Sequence, residues 1–590
     1  MAKRNKTPEV PVEVVHPATS DTPEKPVEHS DLLVAKARNR SGDNIFKRFG
    51  HWYKSHKKLS IPLTVLALLA IVLGVPFTRY KVLGLAIHKN YSVTVLDSVS
   101  GKPVSQADIK LAGKTAKTDE KGQATISQAP LGNQTASVSK KYYKDTSAKV
   151  LVSLTNSKNK ADIKLEATGR QVPVTVTNKI TGKGIQGATI TVQDTEAKTD
   201  EKGEATVVVP AGQTSQKATI TLDGYHELAA DMEVTEQPSD KNKFAIAPSG
   251  KLYFLSKQSG KIDVVKTNLD GSERQVVLAG TGKEQESDTI LLAARDWKFL
   301  ALKSRREGDK AKLYLIDTSN DSLTTMDEGD ATFDITGWSN HDFIYKVSRN
   351  KQPWEAKAKA IKSYNADSKK LATMQESQAQ GTSVSDFLYE DFTAPYIVDD
   401  RVLYATTWQG DGYADNFTGK QREIFTAKPG TSERQVLKSF PVSSTTSYAG
   451  IEAKPYAPNE IYYAIFENQK WEFYEYEDGQ VKPATTDEET FFNKVYPRYI
   501  QSPSGNTLFW AEARDGKNTL LLGDKKAENG QELGALSELT PYGWYTENYL
   551  LVSKKDSELY IMNKAKDATP LKVSDYHKPA FNNNGYGGGY

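Results

Sequence analysis

Residues 93–126 and 174–207 are one segment written twice. "VTVLDSVSGKPVSQADIKLAGKTAKTDEKGQATI" and "VTVTNKITGKGIQGATITVQDTEAKTDEKGEATV" align without a gap and agree at about half of their positions. Inside them the heptapeptide "AKTDEKG" stands at 116–122 and again at 197–203. Each copy opens with alternating apolar residues, Val93/Val95 or Val174/Val176, the period of a half-buried strand. A Gly-bearing turn follows, then a second alternating strand, Ala107/Ile109/Leu111 or Ala188/Ile190/Val192. Asp-Glu-Lys-Gly is turn chemistry: Asp accepts from nearby backbone N–H groups and Gly takes positive φ. The heptapeptide is therefore expected at a hairpin tip, duplicated because its module is duplicated.

The opening strand, the "G-K-x-[VI]-x-x-A-x-[IVL]" step and "T-D-E-K-G-x-A-T" resemble the carboxypeptidase regulatory-like, transthyretin-like or Ig-like β-sandwiches. The resemblance implies two tandem sandwich modules, at 89–167 and 171–235. In that family such modules are spacers or binding units, without catalysis.

From residue 241 the texture changes to units of 40 to 50 residues, each strand-like and punctuated by turns. "FAIAPSGKLYFLSKQSGKIDVVKTNLDGSERQVVL" (244–278) reads as four strands, one antiparallel blade. Later units begin near Ile290, Phe333, Tyr396, Ile451, Tyr499 and Tyr542. "PSG-x-L-Y-F" at 248–254, "NLDGSERQ" at 268–275 and "PSGNTLFW" at 503–510 resemble the β-propellers of the TolB-like and dipeptidyl-peptidase N-terminal type. That resemblance implies a propeller over 241–578 with about seven blades, six or eight also fitting the spacing. The expected fold class is thus mainly β. Residues 579–590, "FNNNGYGGGY" preceded by Pro579 and Ala580, read as a flexible Gly/Asn/Tyr tail.

One segment breaks the polar background. Residues 59–78, "LSIPLTVLALLAIVLGVPFT", carry no charge over a length that suits a transmembrane helix. Arg40, Lys47, Arg48, Lys54, Lys57 and Lys58 precede it, whereas Arg79, Lys81 and Lys89 follow. The positive-inside bias then predicts a single-pass signal anchor, N-terminus cytoplasmic and the remainder extracytoplasmic. Residues 1–40 lack apolar periodicity and read as a disordered cytoplasmic tail. Between them, 41–58 places Ile45, Phe46, Phe49, Trp52 and Tyr53 at helical spacing beside basic residues, an amphipathic juxtamembrane segment suited to anionic lipid through 45–58.

The 77 basic and 74 acidic residues nearly balance, which argues against a nucleic-acid partner. The absence of cysteine excludes disulfides, thiolate metal sites and a cysteine nucleophile. No G-x-S-x-G elbow occurs, and His88, His226, His341 and His577 lack metal spacing. No catalytic residue, metal or cofactor is expected. The ligand-binding candidate is the segment 406–425, read as a long loop, where Trp408, Tyr413 and Phe417 stand with Asp411, Asp415 and Asn416. Rings stack and acids orient, which suits a sugar or peptide. The expected function is a membrane-anchored extracytoplasmic scaffold whose head binds a cell-envelope protein, peptide or glycan. The alternative is a propeller-type glycan lyase or hydrolase that uses carboxylates in the propeller channel.

Overall fold

A computed structural model of the chain describes residues 45–74, 80, 82–210, 212–352, 354–382, 386–410, 417–442, 450–467, 469–494, 496–534, 536–555 and 557–574. The expected tails, 1–40 and 579–590, lie outside these residues. The chain divides into two units, 1–82 and 83–590.

The first unit holds helices α1 (Ile45–Ser55) and α2 (Lys57–Gly74). Among the described residues no helix is long and apolar enough to cross a membrane. Lys57 and Lys58 open α2, and Pro62 lies inside it. Among the described residues its uncharged part is 59–74, about 24 Å at 1.5 Å per residue, short of a hydrocarbon core of about 30 Å. This overturns the expected transmembrane span at 59–78 and, with it, the signal anchor, the bilayer partner, the single-pass location and the membrane-anchored scaffold. The anionic-lipid role of 45–58 is likewise withdrawn. Tyr53 of α1 is engaged by α2 instead: Thr64 Oγ1 donates to its hydroxyl at 3.1 Å, and Ser60 Oγ to its carbonyl at 2.9 Å.

The second unit is built of small β-sheets, which the abundance of β-branched and aromatic residues favours. The first repeat supplies β1 (His88–Asp97), β2 (Asp108–Leu111), β3 (Lys114–Lys117), β4 (Gln123–Pro130), β5 (Gly132–Ser139), β6 (Thr146–Val152) and β7 (Lys160–Leu165). They form two sheets, ordered β4-β1-β7 and β3-β2-β5-β6. The second repeat supplies β8 (Arg170–Asn178), β9 (Thr189–Val192), β10 (Thr195–Lys198), β11 (Glu204–Val209), β12 (Ser215–Thr221) and β13 (Leu228–Glu233). With β14 (Lys243–Ile246) these give β11-β8-β14 and β10-β9-β12-β13. Val172, Val174 and Val176 from one sheet meet Ile190, Val192, Ala218 and Ile220 from the other in a common core.

The heptapeptide is not a hairpin tip. Its first residues end β3 or β10 and its last precede β4 or β11, which belong to the opposite sheet. It is the crossover between the two sheets of a module. The turn chemistry is nevertheless as expected. Asp119 Oδ1 accepts from Lys121 N and Gln123 N, and Asp200 Oδ1 from Lys202 N and Glu204 N. Gly122 and Gly203 take φ of +68° and +78°.

Among the described residues seven small sheets follow, over 251–278, 290–327, 331–376, 379–441, 451–483, 500–532 and 539–574. The β-propeller of about seven blades expected from the sequence is corrected in two respects. The segment 244–278 supplies three strands to its sheet rather than four, because β14 leaves it and pairs in parallel with β8. No described sheet joins strands from the beginning and end of this region, so no shared ladder closes the array. The last sheet instead meets the earlier ones through side chains.

Candidate functional site

The sequence-selected segment is mostly strand. Trp408 lies in the strand Arg401–Gly410 and Phe417 just beyond the described gap. Both rings are buried with Leu388 and Val442 in one cluster. Lys420 Nζ sits 3.7 Å above the Trp408 ring centroid. Trp408 is thus a packed strand residue in the fourth sheet, at the end of a run buried continuously from Val402. Asp411, Tyr413, Asp415 and Asn416 lie outside the described residues, so no constellation with Trp408 can be drawn.

A second group assembles where the sequence offered no contiguous motif. In the second, third, fifth, sixth and seventh sheets the first strand turns into the second at 294–298, 340–341, 458–459, 502–506 and 547–548, and in the fourth sheet the strand Tyr396–Val398 turns into Arg401–Gly410 at 399–400. Side-chain bonds tie these turns together. His341 Nε2 lies 3.0 Å from Asp296 Oδ2 and its Nδ1 2.7 Å from Asp367 Oδ2. Arg295 donates to Gln501 Oε1, and Gln501 Nε2 lies 3.4 Å from Asn459 Oδ1. Ser504 N donates to Glu547 Oε1.

Beneath the turns, indole N–H groups stitch the first strands. Trp338 donates to Leu292 O at 3.0 Å, Trp544 to Ile500 O at 3.0 Å, and Trp297 to Trp544 O at 2.9 Å. The last bond joins the second sheet directly to the seventh. The first sheet puts no first strand between them, since β14 is paired elsewhere.

Trp297 has φ +61°. Asn340, Asp399 and Asn459 occupy positive φ in the matching turns of later sheets. Asn and Asp tolerate that conformation because their short polar side chains bond locally, whereas for a bulky ring it is an outlier. Its cost is of order 1–3 kcal/mol and persists only where the surroundings impose it. Burial of the ring and the bond to Trp544 O impose it here. The strained turn carries Arg295 and Asp296.

The electrostatics follow from the placement. Burial lowers the Arg295 pKa from its ordinary value, and the charge of Asp399 opposes this. An arginine stays protonated regardless. For His341, burial acts downward, but bonds to Asp367 and Asp296 and the charges of both outweigh it, so its pKa is raised. Asp296 is lowered: burial pushes it up, and His341 and Lys298 more than compensate. Asp399 and Asp400 are exposed. Among the described residues, no group of three or more acidic or histidine side chains is placed to hold a metal ion.

No family model matches the chain, and no curated protein matches it. Solved structures give distant likenesses. The oligogalacturonate lyase of Vibrio parahaemolyticus shares 11% identity over 55% of this chain and 85% of its own, with a TM-score of 0.29. The β-propeller domain of the Trilobed protease from Pyrococcus furiosus shares 12% over 63% and 95%, with a TM-score of 0.30. A prolyl endopeptidase structure shares 12% over 56% of this chain and 49% of its own, with a TM-score of 0.32, so the chain spans about half its length. The chain is a β-rich fold of multiple small antiparallel sheets, weakly similar to propeller-fold proteins. Similarity at this level says nothing about activity.

Proposed function

We propose that the chain is a glycan-directed enzyme, a lyase or hydrolase, whose working surface is the face of turns around Arg295. What supports this reading is that acids from separate sheets, Asp296, Asp399 and Asp400, stand exposed on one face with a guanidinium among them. Cleavage of a glycosidic bond needs an acid and a base presented to one sugar from different directions. Turns from separate sheets supply such directions, and a rigid β-scaffold holds them still. The strain at Trp297 fits a site where geometry is imposed.

In this reading the repeats at 89–167 and 171–235 are spacer modules, and 241–578 carries the site, with Lys243–Ile246 lent to the preceding module. Asp411, Tyr413, Asp415 and Asn416, which lie outside the described residues, are kept as a secondary ligand-contacting segment, whereas Trp408 and Phe417 pack with Leu388 and Val442.

Turnover of a panel of neutral and acidic oligosaccharides by the purified chain tests the proposal. Asp296→Asn and Asp399→Asn should each lower the rate by about 100-fold or more, the contribution of a general acid or base. A panel without turnover, or variants with the parent rate, would refute it.

A further inference from the structure

Arg295 is only half engaged. It donates to Gln501, yet its Nε–H is buried and has no hydrogen-bond partner. Asp399 acts on it through charge, and no bond joins the two among the described residues. A buried donor without an acceptor costs roughly 1–3 kcal/mol, more when charged, so its retention calls for a reason.

The position supplies one. Arg295 starts from the second sheet, and Gln501 brings it against the sixth. Gln501 also reaches Asn459 of the fifth sheet, and Asp399 belongs to the fourth. Arg295 is thus bonded to the sixth sheet, linked through Gln501 to the fifth and acted on by a charge of the fourth. The backbone beneath it is pinned at Trp297 by burial and the bond to Trp544 O. Gly505 adjoins the guanidinium without pressing on it: a Cβ built there would stand 3.8 Å from Nη1, at ordinary contact distance.

The acceptor that meets Arg295 is an amide oxygen and its neighbouring anion is one exposed aspartate. A second anionic oxygen pair is what this arrangement lacks. Guanidinium groups satisfy such a need with a carboxylate, which takes two parallel N–H bonds. We infer that Arg295 is the carboxylate-recognising residue of this face, and that the glycan it selects is acidic, bearing a sugar carboxylate. The inference rests on the glycan reading above and narrows its substrate class. Asp399 then limits affinity by like-charge repulsion, so a ligand that displaces it gains most where Asp399 is removed.

Calorimetric titration of the full chain with a hexuronate tetrasaccharide, its carboxyl-reduced counterpart and a peptide with a free C-terminal carboxylate tests this. The acidic sugar should bind at least about 10-fold more tightly than the reduced one, the range of a charge-assisted bond. Arg295→Gln and Arg295→Lys should both erase that preference, because lysine keeps the charge and loses the fork. Asp399→Asn should strengthen binding of the acidic sugar. Melting curves and circular dichroism identify any variant that fails to fold, and in that case the preference of the parent chain and of Asp399→Asn decides. Equal binding of acidic and reduced sugars overturns the inference and leaves the glycan reading standing. Arg295-dependent binding of the peptide alone overturns the sugar assignment. Binding of none of the three overturns both readings.

Discussion

Trp408 and His341 reverse their sequence-level importance once placed. Trp408 stands out in the sequence as an aromatic anchor, but its ring is packed with Leu388, Phe417 and Val442. Trp408→Ala should therefore cost about 3–5 kcal/mol of stability, the range for a core tryptophan. Chemical denaturation of the variant measures this, and an unchanged midpoint would show that the ring packs loosely. His341 reads as an isolated histidine, yet it bridges the second and third sheets with both ring nitrogens on carboxylates. Asp296, Asp367 and Asp342 face it, with Lys298 beside Asp296 and the Phe299 ring edge-on at 5.0 Å. Its raised pKa sets the sign. The stabilisation is complete below the unfolded value of about 6.5 and is lost as pH rises through the folded value. His341→Gln should consequently lower the melting temperature more at pH 5.5 than at pH 8. A difference that stays constant across that range would contradict the ion-paired bridge.

Among elements, the duplicated turn shows how local chemistry and topology separate. The Asp side chains cap the turn as expected, and Gly203 sits at φ +78° against Val176 O and Ile185 N. A Cβ there would clash with backbone, and the conformation is strained for any L side chain. Gly203→Val should destabilise the second module by about 1–3 kcal/mol from the backbone conformation alone. Hydrogen exchange resolved by segment should show the loss across β8–β13 and leave the sheets after 290 protected as before. Equal protection in β8–β13 would mean that the turn adjusts without cost. What the heptapeptide cannot reveal is which strands it connects. A hairpin and a crossover need the same Asp and Gly, and the choice is made by β3 pairing with β2 while β4 pairs with β1.

For the second unit as a whole, the two repeats are locked to each other. Lys140 Nζ donates to Ser105 O in the first module and to Glu196 O in the second, the latter at 2.7 Å. Lys198 N donates to Ser105 Oγ at 2.8 Å, Gln171 Nε2 to Asp97 Oδ2 at 2.9 Å, and Lys121 pairs with Glu201 at 3.0 Å. The two heptapeptides thus meet across the joint they help to build. Burial lowers the Lys140 pKa to about 8, against the opposing charge of Glu196. Lys140→Ala leaves two carbonyls short of a donor, at about 1–3 kcal/mol each if they stay dry. It should loosen the joint while both modules remain folded. Faster exchange of the Lys198 amide with unchanged exchange in the strand cores would show this, and unchanged exchange at Lys198 would place the lock elsewhere.

Much of the β-architecture was legible in order along the chain. Alternation marked strands such as Val93/Val95 and Ile109/Leu111, and Gly and Asp marked their turns, because side-chain period and positive φ are properties of neighbouring residues. The mainly-β character and the many small sheets follow from such local signals. The apolar run 59–78 misled for the same reason: composition reports hydrophobicity, whereas the described helix, Lys57–Gly74, begins with two lysines and carries Pro62. Strand pairing was the other limit. That β14 joins β8 rather than the sheet beginning at Lys251 depends on a partner more than sixty residues away. The group around Arg295 lies further still from any local signal. Its members come from turns spread over more than two hundred residues, each ordinary in its own segment. Alternation, turn chemistry and the duplication belong to the sequence by itself, since each is enforced by residues in covalent proximity. Register, sheet order and the gathering of Arg295, Gln501 and Asn459 belong to the tertiary structure, because only packed sheets bring such distant turns to one place.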